Sequence, residues 1–180
     1  MPADIRLVQL SADAVRDRIS QLADVLEDCV AGGASVSFML PFHRDTAIAF
    51  WQGVARSAAA GERRVLAAID DKDTVIGTVQ LIVDLPENQP HRAEVAKLLV
   101  HSRGRRRGIA AALMAELERL AAAGNKTTLV LDTDTATGSG AETFYSRCGW
   151  QRVGVIPAFA LMQDGEMTGT TLFYKQLAPQ

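Results

Sequence analysis

The stretch from Ala93 to Asp132 limits what this chain can fold into more than any other. Ala93 to Val100 is an apolar strand, a basic loop follows, Gly108 to Ala123 has helical spacing, and Thr127 to Asp132 is a second strand. Leu113, Leu117 and Leu120 share one face of the helix, and Gly124-Asn125 ends it. A strand, a helix and a strand in that order require a right-handed crossover, which sets the two strands parallel. The loop before the helix reads Arg105-Arg106-Arg107-Gly108-Ile109-Ala110. The first amides of a helix have no intrahelical acceptor and carry the positive end of its dipole, so this is an anion cradle suited to phosphate. Gly108 lets the backbone come close to that anion.

The elements on either side complete an α/β outline. Ile5 to Gln9 alternates as a short strand, and Ser11 is the expected cap of one helix carrying Val15, Ile19, Leu22, Val25, Leu26 and Cys29 as far as Gly32-Gly33. Ala34 to Phe42 reads as a loop and Thr46 to Ala60 as a helix stopped by Gly61. Arg63 to Ile69 and Val75 to Val83 read as strands around the polar turn Asp70 to Asp73. After Asp132 come a short helix, Ala141 to Cys148, and strands at Gln151 to Ile156 and Thr170 to Gln176, joined by a longer connection containing Asp164-Gly165.

Composition narrows the classes. With 180 residues, 48% hydrophobic, 22% charged and a net charge of -2, the chain suits a single domain spanning 1–180 and carries no global nucleic-acid footprint. No apolar run approaches the roughly 20 residues that span a bilayer. Met1-Pro2-Ala3-Asp4 lacks the basic start and apolar stretch of a signal peptide, so a cytoplasmic protein is expected. Cys29 and Cys148 have no Cys or His at zinc-ligand spacing, and no metal is expected. Cys148, before Gly149, reads as a small packing residue in preference to a catalytic thiol.

The loop has neither the G-x-x-x-x-G-K-[ST] of a P-loop nor the G-x-G-x-x-G of a dinucleotide fold. Arg105-x-x-Gly108-x-Ala110, after Leu98-Leu99-Val100 and before Ala111-Ala112-Leu113-Met114, resembles the [QR]-x-x-G-x-[GA] signature of the GNAT superfamily of N-acetyltransferases. Ala141-Glu142-Thr143-Phe144-Tyr145 through Gly149-Trp150 resembles that family's second block, A-x-x-F-Y-x-x-x-G-[FW]. The resemblance implies a mixed, mostly antiparallel sheet of about seven strands flanked by helices, with strands that splay around an acetyl thioester. It also implies acetyl-CoA as cosubstrate and direct transfer to a small-molecule amine in a ternary complex. Leu131 to Thr135, Gly138 to Glu142 and Gly149 to Pro157 are similar to the tabtoxin-resistance group of the family, whose acceptor is the amine of tabtoxinine-β-lactam.

Site residues follow from the resemblance. The pyrophosphate would rest on amides from Arg105, Arg106, Arg107, Gly108, Ile109 and Ala110 to Ala111 and Ala112, with backbone amides near Leu99 and Val100 facing the thioester carbonyl. Glu94 opens the strand before the loop, where the family often carries a base, and apolar neighbours would raise its pKa; the alternative is an exposed strand-end charge. Strict alternation sets Glu94, Ala96, Leu98 and Val100 on one face, opposite Val95, Lys97, Leu99 and His101. Asp132 closes the next strand with Asp134 in the loop beyond. Either carboxylate suits a cationic acceptor, Asp132 being the more rigidly placed, against a capping role at the Gly138-Ser139-Gly140 turn. Tyr145 matches the family's general acid, near the cofactor sulfur, against the alternative of a packed aromatic.

Acceptor contacts are expected from Ser35, Ser37, Phe38, Phe42, His43 and Trp51, although Trp51 has the spacing of a core residue and His43 suits a surface. Two other readings stand beside the enzyme: a non-catalytic acyl-CoA-binding regulatory module, disfavoured by Glu94, Asp132 and Tyr145, and an arginine-loop nucleic-acid binder, disfavoured by the net charge. A homodimer remains open.

Overall fold

The computed structural model describes residues 4–135 and 140–178, so Gly138 and Ser139 of the expected turn lie outside the described residues, as do Met1 to Ala3. The element order is β1 (Arg6–Leu10), α1 (Ala12–Asp17), α2 (Ile19–Ala31), α3 (Arg44–Ala59), β2 (Arg63–Ile69), β3 (Val75–Ile82), β4 (Arg92–Val100), a 3-10 turn (Ser102–Gly104), α4 (Ile109–Ala123), β5 (Thr128–Asp134), α5 (Ala141–Arg147), β6 (Gln151–Leu161) and β7 (Met167–Gln176). The strands form one seven-stranded sheet in the order β1-β2-β3-β4-β5-β7-β6. Only β4 and β5 pair in parallel, as the crossover through α4 demands.

Two cores sandwich the sheet. On one face α4 buries Ile109, Leu113, Met114 and Leu117 against Val79, Leu81, Ala93 and Val95, each large side chain contributing roughly 1.5–3 kcal/mol. On the other, α1, α2 and α3 bury Val15, Leu22, Leu26, Trp51 and Val54 against Val65, Ala67 and Ile69. No described helix is long and apolar enough to cross a membrane.

Several local expectations are corrected. Ser11 caps as expected, its Oγ accepting from the Ala14 amide at 3.1 Å, but the first helix is two. Arg18 leaves helical geometry at φ -102, and its guanidinium clamps the Asp73 carboxylate at 2.9 Å in the β2–β3 turn. β5 runs two residues further than Asp132, which makes Asp134 the end of the strand and not part of a loop. β6 and β7 are longer than their apolar cores and meet in a tight turn, where the Met162 amide donates to the Glu166 carbonyl at 2.8 Å; Asp164-Gly165 is the tip of a hairpin, not part of a long connection.

The alternation assigned to β4 also fails. Thr78 pairs with Leu99 and Gln80 with Ala96, so Val79 faces two residues, Lys97 and Leu98. That is a β-bulge, and Lys97 takes φ 54 to accommodate it. Beyond it the faces exchange. Ala93 and Val95 pack towards α4, and so do Leu98 and Val100, whereas Leu99 turns to the α1–α3 side. Glu94 and Leu98 therefore do not share a face.

Candidate active site

β4 and β5 hold together for three rungs, Arg92–Thr128, Ala93–Leu129 and Glu94–Val130, and then part. Two side effects drive the parting: the bulge bends β4, and β5 turns to pair with β7 along its whole length, from Thr128–Gln176 to Asp134–Thr170. The opening is a cleft of about 740 Å³. Its walls are Val95 to Leu98 of β4, Asp132 to Asp134 of β5, Ala141 and Tyr145 of α5, Gly32 to Ser37 after α2, and Phe159 to Leu161 with Thr168 to Thr170 of the last hairpin; Arg105 also borders it.

Arg105, on the border of the cleft, leads into the start of α4. Gly108 is its N-cap in the left-handed region, φ 74, where a Cβ is strained even though it would meet nothing within 4 Å. The amides of Arg106 through Ala111 donate to no acceptor among the described residues, and the first turn carries no acidic side chain. Six open amides on a helix dipole, beside unobstructed space, fit a diphosphate. Ala112 is a correction: its amide donates to the Gly108 carbonyl at 3.0 Å, so the cradle stops at Ala111. Ile109 offers only its backbone, its side chain being 1% exposed in the core.

The arginines are not equivalent. Arg103 donates to the Val75 carbonyl at 3.1 Å, Arg107 pairs with Asp4, and Arg105 lies so close to Gly32 that a Cβ there would stand 3.1 Å from its Nη2. Arg106, exposed and left-handed at φ 61, has no partner among the described residues.

At the centre of the cleft, Tyr145 packs against Phe173 and Trp150, with ring centroids 5.7 and 6.3 Å away, yet borders the open space, and its hydroxyl has no partner among the described residues. Tyr145 is thus a packed aromatic on the wall of the cleft. Burial, reinforced by Cys148, Asp132 and Asp134, pushes its pKa up to about 12, so the phenol keeps its proton at any ordinary pH. Asp132 faces the cleft and accepts from Thr170 Oγ1 at 2.8 Å. Thr170 is 3% exposed and fixes that carboxylate, a role with no motif to announce it.

Glu94 does not line the cleft. It sits on the last rung before the strands part, its side chain 43% exposed and bonded to Arg92 Nη1 at 3.0 Å, which corrects the expected apolar surroundings. Leu99 and Val100 also stand back from the cleft wall; Leu99 is core, and the Val100 carbonyl accepts from Cys29 Sγ at 3.6 Å. Among the acceptor-side candidates, Ser35 and Ser37 line the cleft, Phe38 and Phe42 stack at 4.9 Å, Trp51 is core, and His43 is exposed. Lys97 is the residue that sequence reasoning passed over, although a lysine inside an apolar strand was a signal. Among the described residues no group of three or more His, Cys, Asp or Glu is placed to hold a metal ion.

The profile of the acetyltransferase (GNAT) family matches residues 34–150, which span β4, the arginine loop, α4, β5 and α5. Solved structures share the fold. A protein assigned as an acetyltransferase from Acinetobacter baylyi ADP1 is similar at TM-score 0.79 and 16% identity, covering 98% of this chain and 97% of that one. One assigned as a phosphinothricin N-acetyltransferase gives TM-score 0.77 at 15% identity, covering 97% and 99%. The yncA protein of Salmonella typhimurium, assigned as an acetyltransferase and solved with its cofactor acetyl-CoA, gives TM-score 0.77 at 13% identity, covering 99% and 96%. Open amides at one end of a split sheet, a protonated phenol and a carboxylate at its centre, and a profile match across both lead to one conclusion: this chain belongs to the acetyltransferase (GNAT) family and is an acetyl-CoA-dependent N-acetyltransferase.

Proposed function

We propose that the chain is one cytoplasmic domain, 1–180, that acetylates the amine of a small amino-acid-like molecule by direct transfer in a ternary complex. The observation that carries this reading is the shared cleft: Asp132 and Tyr145 line it together with Arg105, the residue just before the open amides that lead into α4. Acetyl-CoA, when bound, supplies an electrophilic thioester. Arg106 to Ala111 hold its diphosphate, as far as the amides remain open.

The chain's own groups handle the protons. Asp132, oriented by Thr170, takes the acceptor's ammonium as its counter-ion and receives a proton from it, leaving the neutral amine that attack requires. Tyr145 Oη keeps the proton that the departing thiolate needs. Glu94, tied to Arg92 behind the notch, acts at one remove, through water. Leu99 and Val100 contribute backbone only.

The finer reading of the acceptor is tabtoxinine-β-lactam, which makes the protein a toxin-resistance enzyme. It is supported by the Leu131 to Thr135 and Gly149 to Pro157 phrases and by the likeness to a protein assigned to phosphinothricin, another amino-acid toxin. A homodimer belongs to the same proposal. β6 is a free sheet edge exposing Val153, Phe159 and Leu161, and the β6 of a second copy offers a matching row of backbone groups.

Thiol release from acetyl-CoA with a panel of amines tests the function. Turnover with amino-acid-like amines, reduced about a hundredfold or more in Asp132→Asn with coenzyme A affinity retained, is the expected result. Tight cofactor binding without turnover on any amine would instead make this a binding module.

A further inference from the structure

The cleft is electrically two-sided, and its positive side has no assigned task. Asp132 and Asp134 stand at the end of β5, while Lys97 enters from the β4 bulge opposite. Lys97 Nζ donates to Ser37 Oγ at 3.1 Å and lies 5.9 and 6.0 Å from the ring centres of Phe38 and Phe50. No carboxylate pairs with it among the described residues. Arg63, close enough to repel it, is bonded among the described residues to Ser57 Oγ and Gln80 Oε1. Gln80, the β3 partner of Ala96, is fully buried and its Nε2 has no acceptor; Trp51 Nε1 is in the same condition. Of these groups only Lys97 and Ser37 line the cleft, so its β4 side presents a cation with a neutral hydroxyl as its hydrogen-bond acceptor.

A cation removed from water and left without a counter-ion is costly. Burial does press the Lys97 pKa down, and Asp132 offsets part of that. The aromatic rings, at the outer limit of cation–π distance, compensate it only weakly. An incoming anion would complete the arrangement.

We propose that Lys97 recognises a carboxylate on the acceptor, so that the enzyme selects zwitterions: amino acids or their mimics, with the ammonium towards Asp132 and the carboxylate towards the β4 bulge. The inference rests on the acetyl-transfer reading above and adds to it the residue that sets specificity. Lys97 is a binding residue here and takes no part in proton transfer.

The test pairs each acceptor with a relative lacking the negative charge: free amino acids against their methyl esters and decarboxylated amines, with wild type, Lys97→Met and Lys97→Arg. A charge-assisted hydrogen bond of this kind corresponds to roughly 10- to 100-fold in kcat/KM. Wild type should prefer the acid by that factor, Lys97→Met should bring the preference close to unity through KM, and Lys97→Arg should restore part of it. Coenzyme A affinity should not move. Equal treatment of acids and esters by wild type, or an undiminished preference in Lys97→Met, overturns the proposal while leaving acetyl transfer intact. If no amine is turned over, the acetyl-transfer reading fails, and calorimetric titration of the free acids in the presence of coenzyme A decides for Lys97. Acids bound by wild type and lost in Lys97→Met keep the carboxylate site; equal or absent binding removes it.

Discussion

The two ends of the site are built from different materials. The start of α4 presents main chain: open amides from Arg106 to Ala111 and a left-handed Gly108, with Arg106 exposed beside them. The cleft wall presents side chains, among them Asp132 steadied by Thr170, Tyr145 wedged against Phe173, and Lys97 on a bulge. Main chain can recognise a diphosphate whatever the neighbouring side chains are. Side chains discriminate, and one substitution changes what they accept. An acetyl donor common to many enzymes suits the first kind of end, and an acceptor particular to one enzyme suits the second.

The largest effect should come from putting a side chain into the main-chain end. Gly108→Glu adds left-handed strain of roughly 1–2 kcal/mol and a negative charge beside the phosphates, and should weaken coenzyme A binding at least about a hundredfold by calorimetry. Gly108→Ala carries only the strain and should lose much less. Equal affinities for Gly108→Glu and wild type would place the phosphates elsewhere.

On the side-chain end, Tyr145→Phe should lower turnover roughly tenfold or more with coenzyme A affinity preserved. Unchanged turnover would remove the phenol from the chemistry. The same residue has a pH signature. The folded protein holds the Tyr145 proton up to about 12 against an ordinary 10.0, so the stabilisation is complete below pH 10 and disappears as pH rises through 12. Chemical denaturation across that range should show a loss of about 2 kcal/mol in wild type that Tyr145→Phe does not show.

Smaller effects divide the arginines. Arg106→Ala should weaken coenzyme A binding several-fold and leave it less sensitive to salt, whereas Arg103→Ala, which forfeits a bond to the Val75 carbonyl, should cost about 1 kcal/mol of stability and little affinity. Smallest is Glu94→Gln. A carboxylate held by Arg92 behind the notch should change kcat only a few-fold, and a loss as deep as that of Asp132→Asn would promote Glu94 to the principal base.

This contrast of materials also explains what could be read from the sequence. The cradle was legible because main-chain geometry needs particular residues: a glycine that tolerates φ 74, small residues after it, a strand before and a helix behind. β2 was legible to the residue, since Arg63 to Ile69 is continuous and bounded by polar turns. The break at Arg18 was not, because Val15, Ile19 and Leu22 keep helical spacing across it and the cause is a clamp on the distant Asp73. The bulge was hidden for a similar reason. Pairing with β3 decides it, and alternation along β4 alone offers no sign that one residue stands out of register. With the bulge unseen, Lys97 was placed on the wrong count, and the positive side of the cleft went unnoticed. Thr170 lies far from Asp132 in the chain and meets it only through the pairing of β5 with β7.

The bulge works like an inserted letter in a reading frame. Take residue 97 out, and Ala96 would meet Leu98 in unbroken alternation, with Leu98 and Val100 still facing α4 and Leu99 still facing the other core. The register of the strand thus sets few terms for the residue that stands there, whose side chain lines the cleft. A slot of that kind can be rewritten to accept a new substrate while the scaffold that holds the acetyl donor stays as it is.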